Sequence, residues 1–181
     1  MSSSEPMDYD QEILGSSEDR RSLDPGQIVG GTAMTGITEN GIEIDREIAA
    51  PPALVFEALT RSEMFARWFG GGEVEVPFDR LDYHAEVGKK WVATMVLPDG
   101  DTIDWAGKFL EVDPPFHLLM TITDQPPEDN ASQLAYDLTT TATGTHLRVS
   151  QETPGFTEEE QLATIAGTQT FLDVLVEIVE G

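Results

Sequence analysis

Three histidines are the side chains in this 181-residue sequence that most often act as general bases near neutral pH. His84 alternates with acidic residues, and His146 alternates with Arg148 and Ser150, so both lie on the polar faces of predicted strands. His117 is out of phase with the apolar positions that follow it. We therefore expect all three rings to point to solvent, which leaves an internal cavity without a catalytic histidine.

No other pattern in the sequence is typical of catalysis or of a bound metal. The chain has no cysteine, which excludes a disulfide framework, a thiolate zinc site and a thiol nucleophile. The sequence shows neither a Ser-His-Asp arrangement nor a Glu/His metal spacing. Glycines 70–72 lack the strand before them and the helix after them that a dinucleotide loop needs, so they predict a helix stop. We expect no catalytic residue, no metal and no cofactor.

Arg46 is a charged residue in an apolar pattern. It is in phase with Ile42, Ile44 and Ile48, so its side chain is expected to face inward. A guanidinium in that position needs an anionic or carbonyl partner. The partner is either a nearby carboxylate, in a structural ion pair, or the carboxylate or phenolate of a bound ligand.

Two tryptophans are placed by a predicted hairpin. Residues 97–101, Leu-Pro-Asp-Gly-Asp, suit a three-residue loop that combines a type I turn with a glycine bulge. This register pairs Trp91 with Gly107 and Ala93 with Trp105. Indoles opposite small residues predict either a filled core or a ligand cavity beside the rings. The apolar face of the hairpin consists of Trp91, Ala93, Met95, Leu97, Ile103, Trp105, Gly107 and Phe109.

The elements before the hairpin are predicted to be one strand and two short helices. Alternation from residue 41 to residue 48 indicates a half-buried strand, and Pro52 suits the first turn of a helix. Thr60 or Ser62 is expected to cap a second helix, which ends at glycines 70–72. That helix carries a concentration of aromatic residues.

Antiparallel strands and one long helix complete the prediction. Seven segments have strand character and are separated by turn residues, at roughly 73–78, 81–87, 90–97, 102–112, 117–124, 134–141 and 145–151. A helix is expected from Thr157 to about Val179, with Thr157 as its cap and three glutamates in its first turn. This order of elements indicates an α+β fold.

Residues 1–40 differ in composition from the rest. They are rich in Ser, Gly and acidic residues and keep neither helical nor strand period, so we expect a disordered acidic tail. A short partner-binding element around Gln11 to Leu14 is the alternative. The folded domain is predicted to span residues 41–181.

The charge of the chain narrows its partners and its location. Thirty-four acidic residues against ten basic ones give a formal charge of -24, which disfavours nucleic acid and anionic membrane surfaces. The N-terminus lacks the features of a signal peptide, and no stretch approaches 18 uninterrupted apolar residues. These features predict a cytoplasmic protein. The lysine-poor acidity is also typical of proteins from a high-salt cytosol. Acidic proteins from ordinary cytosol are common too, and the sequence leaves both alternatives open.

Three stretches of the sequence resemble a known family. DREIAAPPALVFEALTRSEMFARWFGG, VGKKWVATMVLPDGDTIDWAGKFLEVDPP and THLRVSQETPGFTEEE are similar to bacterial homologues of the heat-shock protein 90 ATPase activator, in the START-like (SRPBCC) superfamily. The resemblance covers about residues 41–181. It implies a helix-grip fold, in which a curved antiparallel sheet wraps around the long C-terminal helix and encloses a cavity. This chain has Phe69 where a second tryptophan is common, and Gly-Thr-Gln-Thr-Phe at 167–171 where a Gly-Trp pair is common.

The residues and the resemblance together predict binding of a small apolar or aromatic molecule in the cavity, with no catalysis or weak catalysis. One alternative is a cyclase or aromatase-type enzyme that polarises a carbonyl with Tyr83, Tyr136 or Arg46. Another is a co-chaperone-like protein that acts through its outer surface. A homodimer and a chaperone partner are left open. The expected ligand-binding residues are Arg46, Phe65, Trp68, Phe69, Trp91, Met95, Trp105, Phe109, Met120, Tyr136 and Phe171.

Overall fold

A computed structural model of the chain describes residues 35–126 and 131–181. The helices are α1 (Pro52–Thr60), α2 (Ser62–Trp68) and α3 (Glu158–Glu180). The strands are β1 (Gly36–Ile37), β2 (Gly41–Ile48), β3 (Lys90–Val96), β4 (Thr102–Asp113), β5 (His117–Ile122), β6 (Ser132–Thr141) and β7 (Gly144–Glu152).

The described strands form one seven-stranded antiparallel sheet in the order β1-β2-β7-β6-β5-β4-β3. Because β2 pairs with β7, the first long strand of the domain lies beside the last one. Helix α3 packs against β2 and against both short helices. This arrangement confirms the predicted α+β class and the helix-grip fold.

The predicted tail lies largely outside the described residues. Residues 1–34 are not among the described residues, and they include the alternative element around Gln11 to Leu14. Within the described part, β1 pairs with β2 through Gly36 opposite Glu43. The sheet therefore begins ahead of residue 41, where the sequence predicts that the domain starts.

The hairpin of β3 and β4 has the predicted register. Trp91 lies opposite Gly107 and Ala93 lies opposite Trp105. The loop is closed by the Leu97 amide, which donates to the Asp101 carbonyl at 2.8 Å. The turn residues alone were sufficient to fix this pairing.

Of the two alternatives for this face of the hairpin, a filled core or a cavity, the surroundings of Gly107 match the filled core. A Cβ atom built on this residue would lie 1.8 Å from the Thr121 carbonyl oxygen and 2.5 Å from Trp91 Nε1. The Trp91 indole fills the position and donates to that same carbonyl at 3.1 Å. Gly107 is therefore required for close packing and leaves no room for a ligand.

Two of the predicted strands are wrong. Residues 73–78 and 81–87 each make a single isolated β-bridge to β3, and a 3-10 turn at Phe78–Arg80 separates them. Pro77 precedes that turn and lacks the backbone N–H that a continuous ladder would use. The alternating pattern in these segments therefore reflects an edge loop along the sheet.

The predicted cap of α2 is wrong, and the predicted cap of α3 is confirmed. Neither Thr60 nor Ser62 caps α2, because the Thr60 hydroxyl donates to the Phe56 carbonyl inside α1 and Ser62 is already helical. The cap at Thr157 is confirmed. Its hydroxyl accepts from the Glu160 amide at 3.1 Å, and the Glu160 carboxylate accepts from the Thr157 amide at 2.9 Å.

Among the described helices, α3 is long and apolar enough by length and composition to cross a membrane. The core helix of a globular domain meets the same criteria. Four of its residues are buried in the domain core, namely Ile165, Leu172, Leu175 and Val179. These four buried positions explain part of the apolar composition of α3.

Candidate ligand-binding site

A cavity of about 240 Å³ lies between the inner face of the sheet and the middle of α3. Six aromatic residues line it: Trp68, Phe69, Trp105, Tyr136, Phe156 and Phe171. Its aliphatic wall consists of Ile122, Leu134, Val149 and Leu172. The polar or small residues at its border are Thr123, Asp124, Ser132, Gln151, Thr164, Gly167 and Thr168.

The floor of the cavity is buried and apolar, and its rim is exposed to solvent. Trp68, Val149 and Leu172 are almost fully buried and form its floor. Asp124, which follows β5, and Phe156, which precedes α3, are exposed and mark the open end. An apolar interior below a polar border suits a largely apolar molecule that enters from this end.

A cluster of stacked aromatic rings supports the floor. The Phe65 ring stacks on Tyr83 at a centroid distance of 3.9 Å and on Phe69 at 4.5 Å. The Phe69 ring in turn contacts Trp105 and Phe171, each at 5.5 Å. Phe65 of α2 therefore packs into the core, while Trp68 at the end of α2 and Phe69 just past it line the cavity.

Two hydrogen bonds fix this cluster to α1. Trp68 Nε1 donates to the Ala58 carbonyl at 2.7 Å, and the Tyr83 hydroxyl donates to the Leu59 carbonyl at 2.7 Å. Carbonyls in the last turn of a helix have no partner within the helix. The two side chains satisfy these carbonyls and hold α2 at a defined angle, which positions Phe69.

The structure brings together five of the predicted ligand-binding residues at the cavity wall: Trp68, Phe69, Trp105, Tyr136 and Phe171. The other six do not line it: Arg46, Phe65, Trp91, Met95, Phe109 and Met120. All of these except Arg46 are buried in the core. Alternation along a strand identifies the inner face, but it does not show which positions on that face α3 covers.

Sequence reasoning missed the contribution of α3. Thr164, Gly167, Thr168 and Leu172 join Phe171 at the wall with spacings of three or four residues, which places them on one helical face. The signal available in the sequence was Gly167, because glycine has a low helix propensity and yet lies in the middle of a long predicted helix.

Arg46 faces inward, as predicted, and forms an ion pair. Its Nη1 atom lies 3.0 Å from Asp173 Oδ1, and its Nη2 atom donates to the Gln169 carbonyl at 3.4 Å. Both partners belong to α3. The structure therefore contains the structural ion pair that was one of the two alternatives for Arg46.

None of the three histidines lines the cavity, but only His84 is as exposed as predicted. His146 contacts the carboxylates of Asp45 and Glu47 on the outer face of the sheet. A second histidine on that face, His117, is also bound by two carboxylates.

His117 lies between the Asp137 carboxylate at 2.7 Å and the Glu111 carboxylate at 2.8 Å. Partial burial of the ring lowers its pKa, but the hydrogen bonds and charges of the two carboxylates outweigh this effect. The net result is a His117 pKa above its usual value. His117 links β4, β5 and β6 on the side of the sheet away from the cavity.

Comparison with known proteins identifies the family. The family model for Activator of Hsp90 ATPase homolog 1-like protein matches residues 49–180. A search of curated proteins finds no match.

Solved structures share the fold. A protein from Chromobacterium violaceum is 22% identical with a TM-score of 0.68, over 78% of this chain and 99% of that chain. The AHSA1 protein from Silicibacter pomeroyi is 21% identical with a TM-score of 0.68, over 76% and 96%. The AHSA1-like protein from Aeromonas hydrophila is 22% identical with a TM-score of 0.64, over 77% and 91%. With its helix-grip architecture and the match over residues 49–180, the chain belongs to the Activator of Hsp90 ATPase homolog 1-like family.

Proposed function

We propose that this chain binds a small apolar or aromatic molecule in the cavity between the sheet and α3. The volume of about 240 Å³ is below the range of about 300–1,000 Å³ that houses drug-sized ligands, so a compact molecule of one or two rings fits best. Aromatic walls favour a flat ring system, because they offer faces and edges for stacked and T-shaped contacts.

Gly167 is the observation that carries this proposal. It lies inside α3, where alanine would be more stable than glycine by about 0.5–1 kcal/mol. A Cβ atom built on it would meet no atom within 4 Å. Neither helical geometry nor close packing therefore requires glycine at this position. Its missing side chain instead keeps space open at the cavity wall, as a bound molecule would require.

The experiment compares two leucine substitutions on the same helix. Gly167→Leu places a leucine side chain at the cavity wall, whereas Ala166→Leu places the same side chain at an exposed position. Both changes suit a helix. The neutral two-ring fluorophore 1-naphthylamine serves as the probe, and its emission is measured against protein concentration for each variant.

We expect the probe to bind the unchanged chain and Ala166→Leu alike, and to bind Gly167→Leu at least about tenfold more weakly, since the loss of several apolar contacts costs more than 1.4 kcal/mol. Equal binding by all three proteins would show that the probe does not use this cavity, and would count against the proposal. Unfolding midpoints of the three proteins confirm that they are folded.

The cyclase-type alternative has less support from the geometry. Of its three proposed polarising groups, Tyr83 donates to a backbone carbonyl and Arg46 pairs with Asp173, and neither lines the cavity. Tyr136 does line it. Burial raises the pKa of Tyr136, so its hydroxyl keeps its proton near neutral pH and can act only as a hydrogen-bond donor or acceptor there.

The family match favours a second candidate, a co-chaperone-type function. Such a protein would act on the ATPase of a heat-shock protein 90 through its outer surface. ATP hydrolysis by that chaperone from the same organism, measured with and without this chain, tests it directly. Gly167→Leu separates the two functions, because a cavity-filling change is expected to abolish ligand binding and to leave any stimulation of the ATPase intact.

A further inference from the structure

We infer that the molecule bound in the cavity carries a positively charged group, such as a protonated amine, which lies at the open end beside Asp124 while an aromatic ring system fills the interior. This inference rests on the proposed function and specifies the chemical class of its ligand. The charged residues around the open end point to this class.

The open end of the cavity lies at one end of the sheet, where three neighbouring strands begin or stop. Ile122, the last residue of β5, pairs with Ser132, the first residue of β6. Leu134 of β6 pairs with Gln151 near the end of β7. All four residues line the cavity, as does Asp124, two residues past the end of β5. A ligand between the sheet and α3 therefore presents one of its ends to this group of residues.

The segments that surround the open end contain acidic residues and no basic ones. Residues 121–126, 131–134 and 149–171 include no Lys, Arg or His. Their acidic residues are Asp124, Glu152, Glu158, Glu159 and Glu160. The whole chain, with a formal charge of -24, adds to the same field. A cation that approaches this end is therefore attracted, and an anion is repelled.

The N-terminus of α3 does not reverse the sign of this field. Phe156, directly before the Thr157 cap, lines the cavity, so the start of the helix lies at the same end. The first N–H groups of a helix favour anions. In this helix the Thr157 hydroxyl accepts from the Glu160 amide, and three glutamates occupy the first turn. Their carboxylates supply the negative charge that the helix terminus favours.

Asp124 is the one charged residue among the described residues that line the cavity. Within residues 35–126 and 131–181 it forms no ion pair. Its side chain is exposed, so the carboxylate keeps its hydration and can pair with a cation without burial of either charge. The position therefore suits a charged group that stays at the rim.

A protonated amine matches this rim better than an anionic group does. An ammonium has three N–H donors, and the Asp124 carboxylate and the side-chain oxygens of Ser132 and Gln151 are acceptors. The exposed ring of Phe156 at the same end also favours a cation. A carboxylate or phosphate would meet no basic side chain among the described lining residues. The site is therefore suited to an arylalkylamine, with its ring inside and its amine at the rim.

Three naphthalenes that differ only in the group on one methylene carbon test this charge preference. Near neutral pH, 2-naphthylmethylamine is cationic, 2-ethylnaphthalene is neutral and 2-naphthylacetate is anionic. Each is added to the full chain with 1-naphthylamine bound, and the emission of the displaced probe gives its affinity. Asp124→Asn removes the charge at the rim. Asp79→Asn is the matched control, because it makes the same change at an exposed position that does not line the cavity.

At low salt we expect the amine to bind about tenfold more tightly than the carboxylate, with the neutral compound between them, because exposed charges attract or repel one another modestly. Asp124→Asn should weaken the amine by about threefold and leave 2-ethylnaphthalene unchanged. Asp79→Asn should leave both unchanged. In about 1 M salt, where the Debye length is about 3 Å, the differences among the three compounds should shrink.

The outcomes separate this inference from the proposed function. If the neutral compound or the carboxylate binds as tightly as the amine at low salt, the assignment of a cationic group is wrong while cavity binding stands. The same conclusion follows if Asp124→Asn weakens the amine no more than it weakens 2-ethylnaphthalene. The comparison of the three compounds needs only the unchanged chain, so it decides the matter even where a variant folds poorly. If no naphthalene binds at a site sensitive to Gly167→Leu, the proposed function itself fails, and the inference fails with it.

Discussion

The guanidinium of Arg46 lies 3.0 Å from the carboxylate of Asp173, which connects β2 to α3 across the edge of the domain core. The Asp173 side chain is 66% exposed, so water screens this pair and solvates the carboxylate when the arginine is removed. The pair is therefore a modest structural contact and lies apart from the cavity wall.

Arg46→Met is expected to lower the free energy of unfolding by about 1 kcal/mol or less, as for partly exposed ion pairs, and to leave probe affinity unchanged. Urea unfolding and fluorescence titration measure the two quantities on the same preparation. An intact unfolding midpoint with lost affinity would instead identify Arg46 as a ligand anchor.

Gly167→Ala is expected to raise the free energy of unfolding of the ligand-free chain by about 0.5–1 kcal/mol, because alanine suits a helix interior better and the added methyl group meets no atom. The same change narrows the cavity, so probe affinity should fall. Chemical unfolding of the ligand-free protein provides the measurement. A destabilised variant would mean that the space at Gly167 is needed by the fold itself.

Gly107→Ala is expected to destabilise the chain by about 2–4 kcal/mol, through overpacking and loss of the Trp91 hydrogen bond to Thr121. Gly36→Ala is the matched control, because Gly36 is also in a strand and an added Cβ there meets no atom within 4 Å. Thermal unfolding compares the two. Similar midpoints would contradict the close packing of β4 against β5.

His117→Gln tests the raised pKa of His117. A histidine with a folded-state pKa above its unfolded value contributes stability that is fully present below about pH 6.5 and is lost as pH rises through the folded-state pKa. The variant should be less stable than the unchanged chain at about pH 5.5, by less than about 1 kcal/mol for a partly exposed group, and the difference should shrink by about pH 8.5.

Urea unfolding at the two pH values measures this difference. His84→Gln is the control, because its ring is largely exposed and it reports the cost of the exchange itself. A His117→Gln difference that grows with pH would contradict the assigned direction of the pKa shift.

Local chemistry made part of the fold predictable. The Pro-Asp-Gly loop fixed the pairing of Trp91 with Gly107, because turn geometry sets the register of a hairpin. Thr157 and Glu160 marked the start of α3 by their reciprocal bonds. The strands expected at 73–78 and 81–87 failed because alternation shows which side chains face the core and not whether the backbone pairs along its length.

The site was less predictable than the fold. Aromatic residues on the inner face could be named, but whether each one reaches the cavity depends on where α3 crosses the sheet. Phe65 and Phe69 belong to one short stretch, and yet only Phe69 lines the cavity. An added Cβ atom would clash at Gly107 and would meet no atom at Gly167, and the sequence does not distinguish the two positions. Such distinctions require tertiary distances that no periodicity contains.

The most direct test of cavity binding is native mass spectrometry of the chain isolated from the organism that makes it, beside Gly167→Leu and Ala166→Leu isolated in the same way. The unchanged chain and Ala166→Leu are predicted to carry the same additional small-molecule mass, which denaturation releases, and Gly167→Leu is predicted to lack it. An unchanged chain without that mass, or a Gly167→Leu variant that retains it, would contradict the claim that this cavity is the ligand site.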